Sequence, residues 1–177
     1  MFLADGFEEV EALCPLDILR RAGIEVTTVG IGKDTIVGAH GITVQTDNPD
    51  IMYRDAVPDM IILPGGMPGS ANLDQSKTVD TALRAASKKG AFLCAICAAP
   101  MVLGKRGYLE GKRSICYPGF EEYLTGAVIA NDEYVVRDGN IITAKGMGVA
   151  LEFGLELVKA LRNDGIAEKI KKSVFAK

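Results

Sequence analysis

Apolar positions in this chain follow two alternating periods. Between residues 8 and 22, Val10, Leu13, Cys14, Ile18 and Leu19 recur at spacings of three and four, which predicts an amphipathic helix ending at Gly23. A short apolar fragment, Phe2 to Ala4, precedes it before the turn Asp5-Gly6 and reads as the clipped remnant of a first strand. Ile24 to Val29 (IEVTTV) predicts a strand, and the glycine-punctuated stretch from Gly30 to Val44 predicts a small β excursion with turns. Met60 to Leu63 (MIIL) and Ala91 to Ile96 (AFLCAI) are continuous apolar runs, as expected of strands covered on both faces. The first stops at Pro64-Gly65-Gly66; the second runs into Cys97-Ala98-Ala99-Pro100 and a helix through about Lys105. A helix over Lys77 to Lys88 separates them. Asp138-Gly139, flanked by Tyr134 to Val136 and Asn140 to Ala144, signals a hairpin. Val149 to Leu161 predicts a helix, with Leu151, Leu155, Val158 and Ala160 near one face, and Ile166 to Lys172 a short charged one.

Strands alternating with helices of about a dozen residues imply βαβ units, hence an α/β fold with a doubly wound, mostly parallel sheet and helices on both faces. In such sheets ligands bind beyond the carboxyl ends of the central strands. Gly65-Gly66 and Cys97 both fall at predicted ends of that kind. The length, 177 residues, fits a single domain spanning 1–177, given roughly 150 residues per domain.

Composition narrows the function classes. Twenty Lys+Arg against 23 Asp+Glu give a formal charge of −3, without the basic excess of a nucleic-acid binder. No apolar stretch is long enough to span a membrane and no secretory leader is visible, so a cytoplasmic location is expected, with no membrane partner. One His excludes a His-cluster zinc site, and four Cys in a reducing compartment are fillers or reactive groups rather than a disulfide framework.

Among the thiols, Cys97 stands apart. Small neighbours allow a sharp strand-to-helix turn that projects its side chain, and the following helix N-terminus favours thiolate. The N–H groups of Gly65, Gly66 and Ala98 are candidates for holding a substrate oxyanion. In Glu8-Glu9-Val10-Glu11, the first two carboxylates suit the helix dipole in solvent. Glu11, one turn on, can lean toward the strand ends, where burial would make it a proton donor. Cys94 forms a C-x-x-C spacing with Cys97, but three extended residues set the two about 10 Å apart, beyond disulfide reach. Cys14 and Cys116 read as fillers and His40 as a surface residue. Arg21 is a candidate for anchoring an anion near the site.

Gly6-Phe7-Glu8-Glu9-Val10-Glu11-Ala12, Leu63-Pro64-Gly65-Gly66 and Ala95-Ile96-Cys97-Ala98-Ala99-Pro100 resemble, in order and spacing, the three motifs of the ThiJ/PfpI superfamily. The parkinsonism-associated deglycase (DJ-one) branch is the most similar, and the likeness covers nearly the whole chain. The resemblance implies a flavodoxin-like sandwich of the class I glutamine amidotransferase type, a homodimer, a reactive Cys97 and a protonated Glu11 beside it. It also implies an enzyme of the glyoxalase or deglycase kind, without metal or organic cofactor, acting on small 2-oxoaldehydes; the alternative is an oxidative-stress sensor or chaperone-like protein using Cys97 sulfinate. Peptidase or amidase activity ranks third, because Ala98 stands where peptidase-like members carry His. Tyr117-Pro118 stands where some deglycase-branch members have His-Pro, and Lys145-Gly146-Met147-Gly148 replaces an Arg-Gly-Pro-Gly type of turn, so these segments form a possible site rim.

Overall fold

The computed structural model describes residues 1–53 and 57–176. In chain order the elements are β1 (Phe2–Leu3), α1 (Glu9–Arg21), β2 (Val29–Gly30), β3 (Thr35–Val37), β4 (Thr43–Gln45), β5 (Asn48–Pro49), β6 (Met60–Leu63), α2 (Gly69–Gln75), α3 (Lys77–Lys89), β7 (Phe92–Ile96), α4 (Pro100–Gly104), β8 (Arg113–Ser114), β9 (Val128–Ile129), β10 (Val135–Asp138), β11 (Ile141–Ala144), α5 (Ala150–Leu161) and α6 (Asp164–Ser173).

Strands β6, β7 and β11 run parallel in the order β11-β7-β6, with β10 antiparallel at the β11 edge. A second parallel set, β1-β2-β5, lies alongside because β1 packs beside β6. Side chains alternate across this surface, as strand geometry requires. Ile61, Leu63, Leu93 and Ala95 face a layer that includes Leu73, Leu83 and Val102 of α2, α3 and α4. Ile62, Cys94 and Ile96 face the opposite layer, with Leu19 of α1 and Phe153 and Leu157 of α5. Helices therefore cover both faces of a flavodoxin-like α/β sheet. No helix of the described residues is long and apolar enough to cross a membrane.

The strand register fixes where chemistry can occur. Leu63 pairs with Ala95, and Ile96 with Ala144, so β6, β7 and β11 end nearly level. The residues just beyond them, Gly65-Gly66, Cys97 and Lys145-Gly146, share one rim. Helix α1 is delivered to that rim by close packing on α5. A Cβ added to Gly154 would stand 3.1 Å from Pro15 Cα and 3.2 Å from Ile18 Cβ, tighter than an ordinary contact, so glycine lets the two helices approach this closely without displacing either neighbour.

The strand expected over Ile24–Val29 is shorter: ladder pairing is confined to Val29–Gly30. Side chains take the backbone groups that a ladder would have used. Asp47 Oδ2 accepts from Thr28 N at 2.7 Å and from its hydroxyl at 2.8 Å, while Arg20 donates to the Val26 carbonyl at 3.0 Å. Helix α2 was not visible as a pattern, because Gly69-Ser70-Ala71-Asn72 carries no apolar period.

Candidate active site

Cys97 occupies the turn between β7 and α4 with φ +63°, in the left-handed region that costs a non-glycine residue about 1–2 kcal/mol. Neighbours hold it there: its N–H donates to Ala144 O at 2.9 Å and its carbonyl accepts from Tyr117 N at 2.8 Å. Ala98 and Ala99, both buried, are small enough to let the chain turn at once into α4. The sulfur is thereby left half-buried at the rim.

Glu11 approaches from α1. Glu8 caps this helix, its Oε2 accepting from Glu11 N at 2.7 Å. Glu8 N in turn donates to Gly65 O at 2.9 Å, tying the helix start to the end of β6. The Glu11 side chain is 1% exposed. Its Oε2 accepts from Gly65 N at 3.0 Å, whereas Oε1 has no hydrogen-bond partner among the described residues. Gly65 is required by this crowding, since a Cβ there would lie 2.5 Å from Glu11 Oε2 and 2.6 Å from Cys97 Cβ. Gly66 is required twice over: it has φ +87°, and a side chain would run into the backbone of Glu8 and Gly6.

Burial pushes the Glu11 carboxyl up to about 7; the Cys97 thiol and the Gly65 N–H pull it back, while the nearby Glu8 charge adds to the rise. The thiol is pushed up to about 12, first by burial and then by the Glu11 carboxylate, against the nearby N–H groups of Gly66 and Ala98. A helix N-terminus alone therefore does not produce a thiolate here, and α4 is only five residues long. Each anion opposes the other, so the two groups titrate as one unit. A thiolate on Cys97 is compatible with a protonated Glu11, which then stands as a donor toward the sulfur.

Glu11, Gly65, Gly66, Cys97 and Ala98 thus come together. Tyr117 joins them at the mouth: its side chain is 52% exposed, and its ring edge lies beside Gly146. Pro118 follows as an exposed residue. Arg21 does not reach the site. It lies ten residues along α1 from Glu11, about 15 Å at the helical rise, and pairs with Asp17 at 2.6 Å.

Glu9 corrects the expectation of a solvated first turn. It is 3% exposed and anchors the β3–β4 turn, accepting from His40 N at 2.7 Å and Ile42 N at 3.4 Å, with the His40 ring at 2.8 Å. No local signal announces this, because the partners lie 31 and 33 residues further on. Glu8, Glu9 and His40 offer three possible metal-ligand atoms within 4.8 Å of one another. Those of Glu9 are already engaged with the turn and Glu8 caps α1, so the group is accounted for as hydrogen-bonded structure. Cys94 and Cys116 are buried, Cys14 is half-buried, and all four thiols are free.

Residues 1–160 match the DJ-1/PfpI family. The dj-1beta protein of Drosophila melanogaster is 35% identical over 177 residues, spanning 99% of this chain and 95% of that protein. Its crystal structure superposes with a TM-score of 0.93 at 34% identity, covering 99% of this chain and 96% of the other. A Caenorhabditis elegans protein named a glutathione-independent glyoxalase is 32% identical over 157 residues, 87% of this chain and 82% of that one. A Pyrococcus abyssi protein named a deglycase is 34% identical over 164 residues, 90% and 96% of the two.

Proposed function

The chain belongs to the DJ-1/PfpI family, and from that premise we propose that it is a cofactor-free, cysteine-dependent enzyme acting on small 2-oxoaldehydes such as methylglyoxal. Relatives named glyoxalase and deglycase support this class of activity. The observation that carries it is the pairing of Cys97, held at φ +63°, with a buried carboxyl that keeps its proton to about pH 7.

The sulfur, as thiolate, adds to the aldehyde carbon, forming a C–S bond as the carbonyl π bond opens, and the carbonyl oxygen takes the proton of Glu11, which is left as the carboxylate. The N–H groups of Gly66 and Ala98 face the oxygen as its charge develops. Gly65 N–H is committed to Glu11 Oε2 at 3.0 Å, so Gly65 positions the acid rather than the oxyanion. Glu11 then removes the hydrogen of the former aldehyde carbon and returns a proton to the adjacent ketone carbon, converting the hemithioacetal to a thioester. Water cleaves the thioester, releasing a 2-hydroxy acid and the free thiol. Cys97→Ser and Glu11→Gln are each expected to abolish methylglyoxal turnover by the purified protein; wild-type turnover no faster than the variants would reject the enzyme.

A second reading uses the same pair. Two equivalents of hydrogen peroxide oxidise the thiol to a sulfinate with loss of two waters, and a protonated Glu11 donates to the resulting anion. The unpartnered Glu11 Oε1 favours this reading too. Two oxygens added to Cys97 alone, by intact mass and peptide mapping, are expected; uniform oxidation of all four thiols would count against it. Peptidase chemistry has less support, since the chain's single His is bonded to Glu9.

The outer side of α1 and the adjoining β3–β4 turn expose Val10, Leu13, Val37 and Ile42, an apolar patch suited to a second copy of the chain. A homodimer through this patch predicts that Leu13→Glu yields a monomer by light scattering. Four free thiols suit the reducing cytoplasm.

A further inference from the structure

Two ladders of the sheet meet without pairing at the end opposite Cys97. Strand β6 is the edge of one, bonded to β7 on its other side, and the two-residue β1 is the edge of the other. Past Phe2 the pairing of β1 with β2 continues for a single bond, from the Met1 nitrogen to Thr27 O at 2.9 Å. Where β1 stops, a cavity of about 600 Å³ opens between residues 24–27 and the start of β6 at Met60. It is lined from both layers of the core: Phe2 and Val57 pack with the layer of α2 to α4, and Leu19, Ile24 and Leu161 with that of α1 and α5. A pocket on one face of a sheet is lined from one layer only. This cavity runs through the sheet along the line of β1.

Its walls carry backbone groups as well as apolar side chains. Residues of a parallel strand bond alternately to the neighbour on one side and the neighbour on the other. On the β5 side, Thr28 O accepts from Asn48 N at 3.1 Å, Asp47 takes Thr28 N, and Arg20 takes Val26 O. Glu25 and Thr27 therefore point the other way, toward the cavity. On β6, Asp59 O accepts from Phe92 N of β7, so the N–H of Met60 points away from β7 into the same space.

We propose that the cavity is a strand-binding site, taking a short extended peptide that runs parallel to β2, apolar at each position and basic at its outer end. The register Phe2↔Val29 sets Met1 opposite Thr28 and leaves four positions opposite residues 24–27, about 13 Å of extended chain. Both faces are covered there, so each position favours an apolar side chain, as in β6 and β7. At the mouth, Arg162 donates to Gly23 O at 3.0 Å and Asp59 pairs with Lys89 at 3.1 Å. The exposed Glu25 is in no ion pair among the described residues, and it favours a cation at the outer end of the peptide. A small apolar molecule would fill the walls but leave the backbone groups of Glu25, Thr27 and Met60 unbonded. The site stands apart from Cys97 and does not depend on its chemistry.

The probe is acetyl-Lys-Val-Ile-Val-amide, with its terminal amide beside Met1 and both valines bonding to β2. Titration calorimetry with the whole chain is expected to give saturable binding below about 1 mM. Hydrogen exchange should slow at the amides of Glu25, Thr27 and Met60, with Thr28, already bonded to Asp47, unchanged. N-methylation of both valines removes their donors and should weaken binding at least about tenfold. Ile24→Lys should weaken it about tenfold, and Glu25→Lys about threefold at low salt. The N-methylated peptide is tested on the wild-type protein, so a variant that fails to fold does not decide the outcome. Absence of saturable binding, equal affinity for the N-methylated peptide, or slowed exchange confined to other residues would overturn the strand site.

Discussion

Glu9 and Glu11 lie two residues apart on α1, and both are almost wholly buried, 3% and 1% exposed, yet their acidities move in opposite directions. For Glu9, burial alone would raise the carboxyl, but the His40 ring and the N–H groups of His40 and Ile42 outweigh it and hold it below its ordinary value. Glu11 has one N–H donor, the Cys97 thiol beside it and one oxygen without a hydrogen-bond partner among the described residues, and burial lifts it to about 7. Burial sets what is at stake, and partners decide the sign. A carboxylate with both oxygens engaged by donors is structural; one left short of donors beside a sulfur can exchange its proton.

The contrast is tested most severely by activity. Removing the Glu11 proton while keeping its shape, as Glu11→Gln, should reduce kcat/KM for methylglyoxal by about 10²–10⁴-fold, the usual worth of a positioned acid or base. Glu9→Gln should keep the activity of the folded protein within a few-fold. Equal losses would erase the distinction.

Stability should respond with the opposite ranking. Native Glu11 keeps its proton to about pH 7, whereas an unfolded glutamate releases it near 4.5, so the native state binds more protons across that window and stability falls as pH rises through it. Glu11→Gln removes this penalty. Above pH 7 it should stabilise the protein by on the order of 3 kcal/mol, with little effect near pH 4, measured by urea unfolding at both pH values. Glu9→Ala strips acceptors from two N–H groups and should destabilise by about 2 kcal/mol at pH 7. The smallest effect belongs to His40, an exposed ring raised first by its hydrogen bond to Glu9 and then by that carboxylate's charge. Its contribution is complete below pH 6.5 and lost as pH rises through the elevated value, so His40→Gln should lower the melting temperature only slightly, and only on the acid side.

Much of this was legible because the signals were local. Met60–Leu63 and Phe92–Ile96 are unbroken apolar runs, and the small residues around Cys97 mark the elbow in the sequence itself. Helical phase brought Glu11 to the strand ends. The missing parts depend on distant segments. Nothing near Glu9 foretold a turn some 30 residues away folding over it, and the Ile24–Val29 strand was shortened by Asp47 and Arg20 capturing its backbone groups. Arg21 failed for a simpler reason: the helical rise carries it a molecule's radius from Glu11, and its partner is its own neighbour Asp17. Tyr117 was placed at the rim by resemblance, but its bond to Cys97 O could be known only from the fold.

The central claim is that Glu11 holds its proton up to about pH 7 beside the Cys97 thiol. Carbon-13 NMR of the glutamate side-chain carboxyls, with Glu11 assigned by its loss in Glu11→Gln, measures this directly. The account predicts a titration midpoint at about 7 for Glu11, well above the ordinary glutamate value of 4.5. A midpoint at or below 4.5 would contradict it.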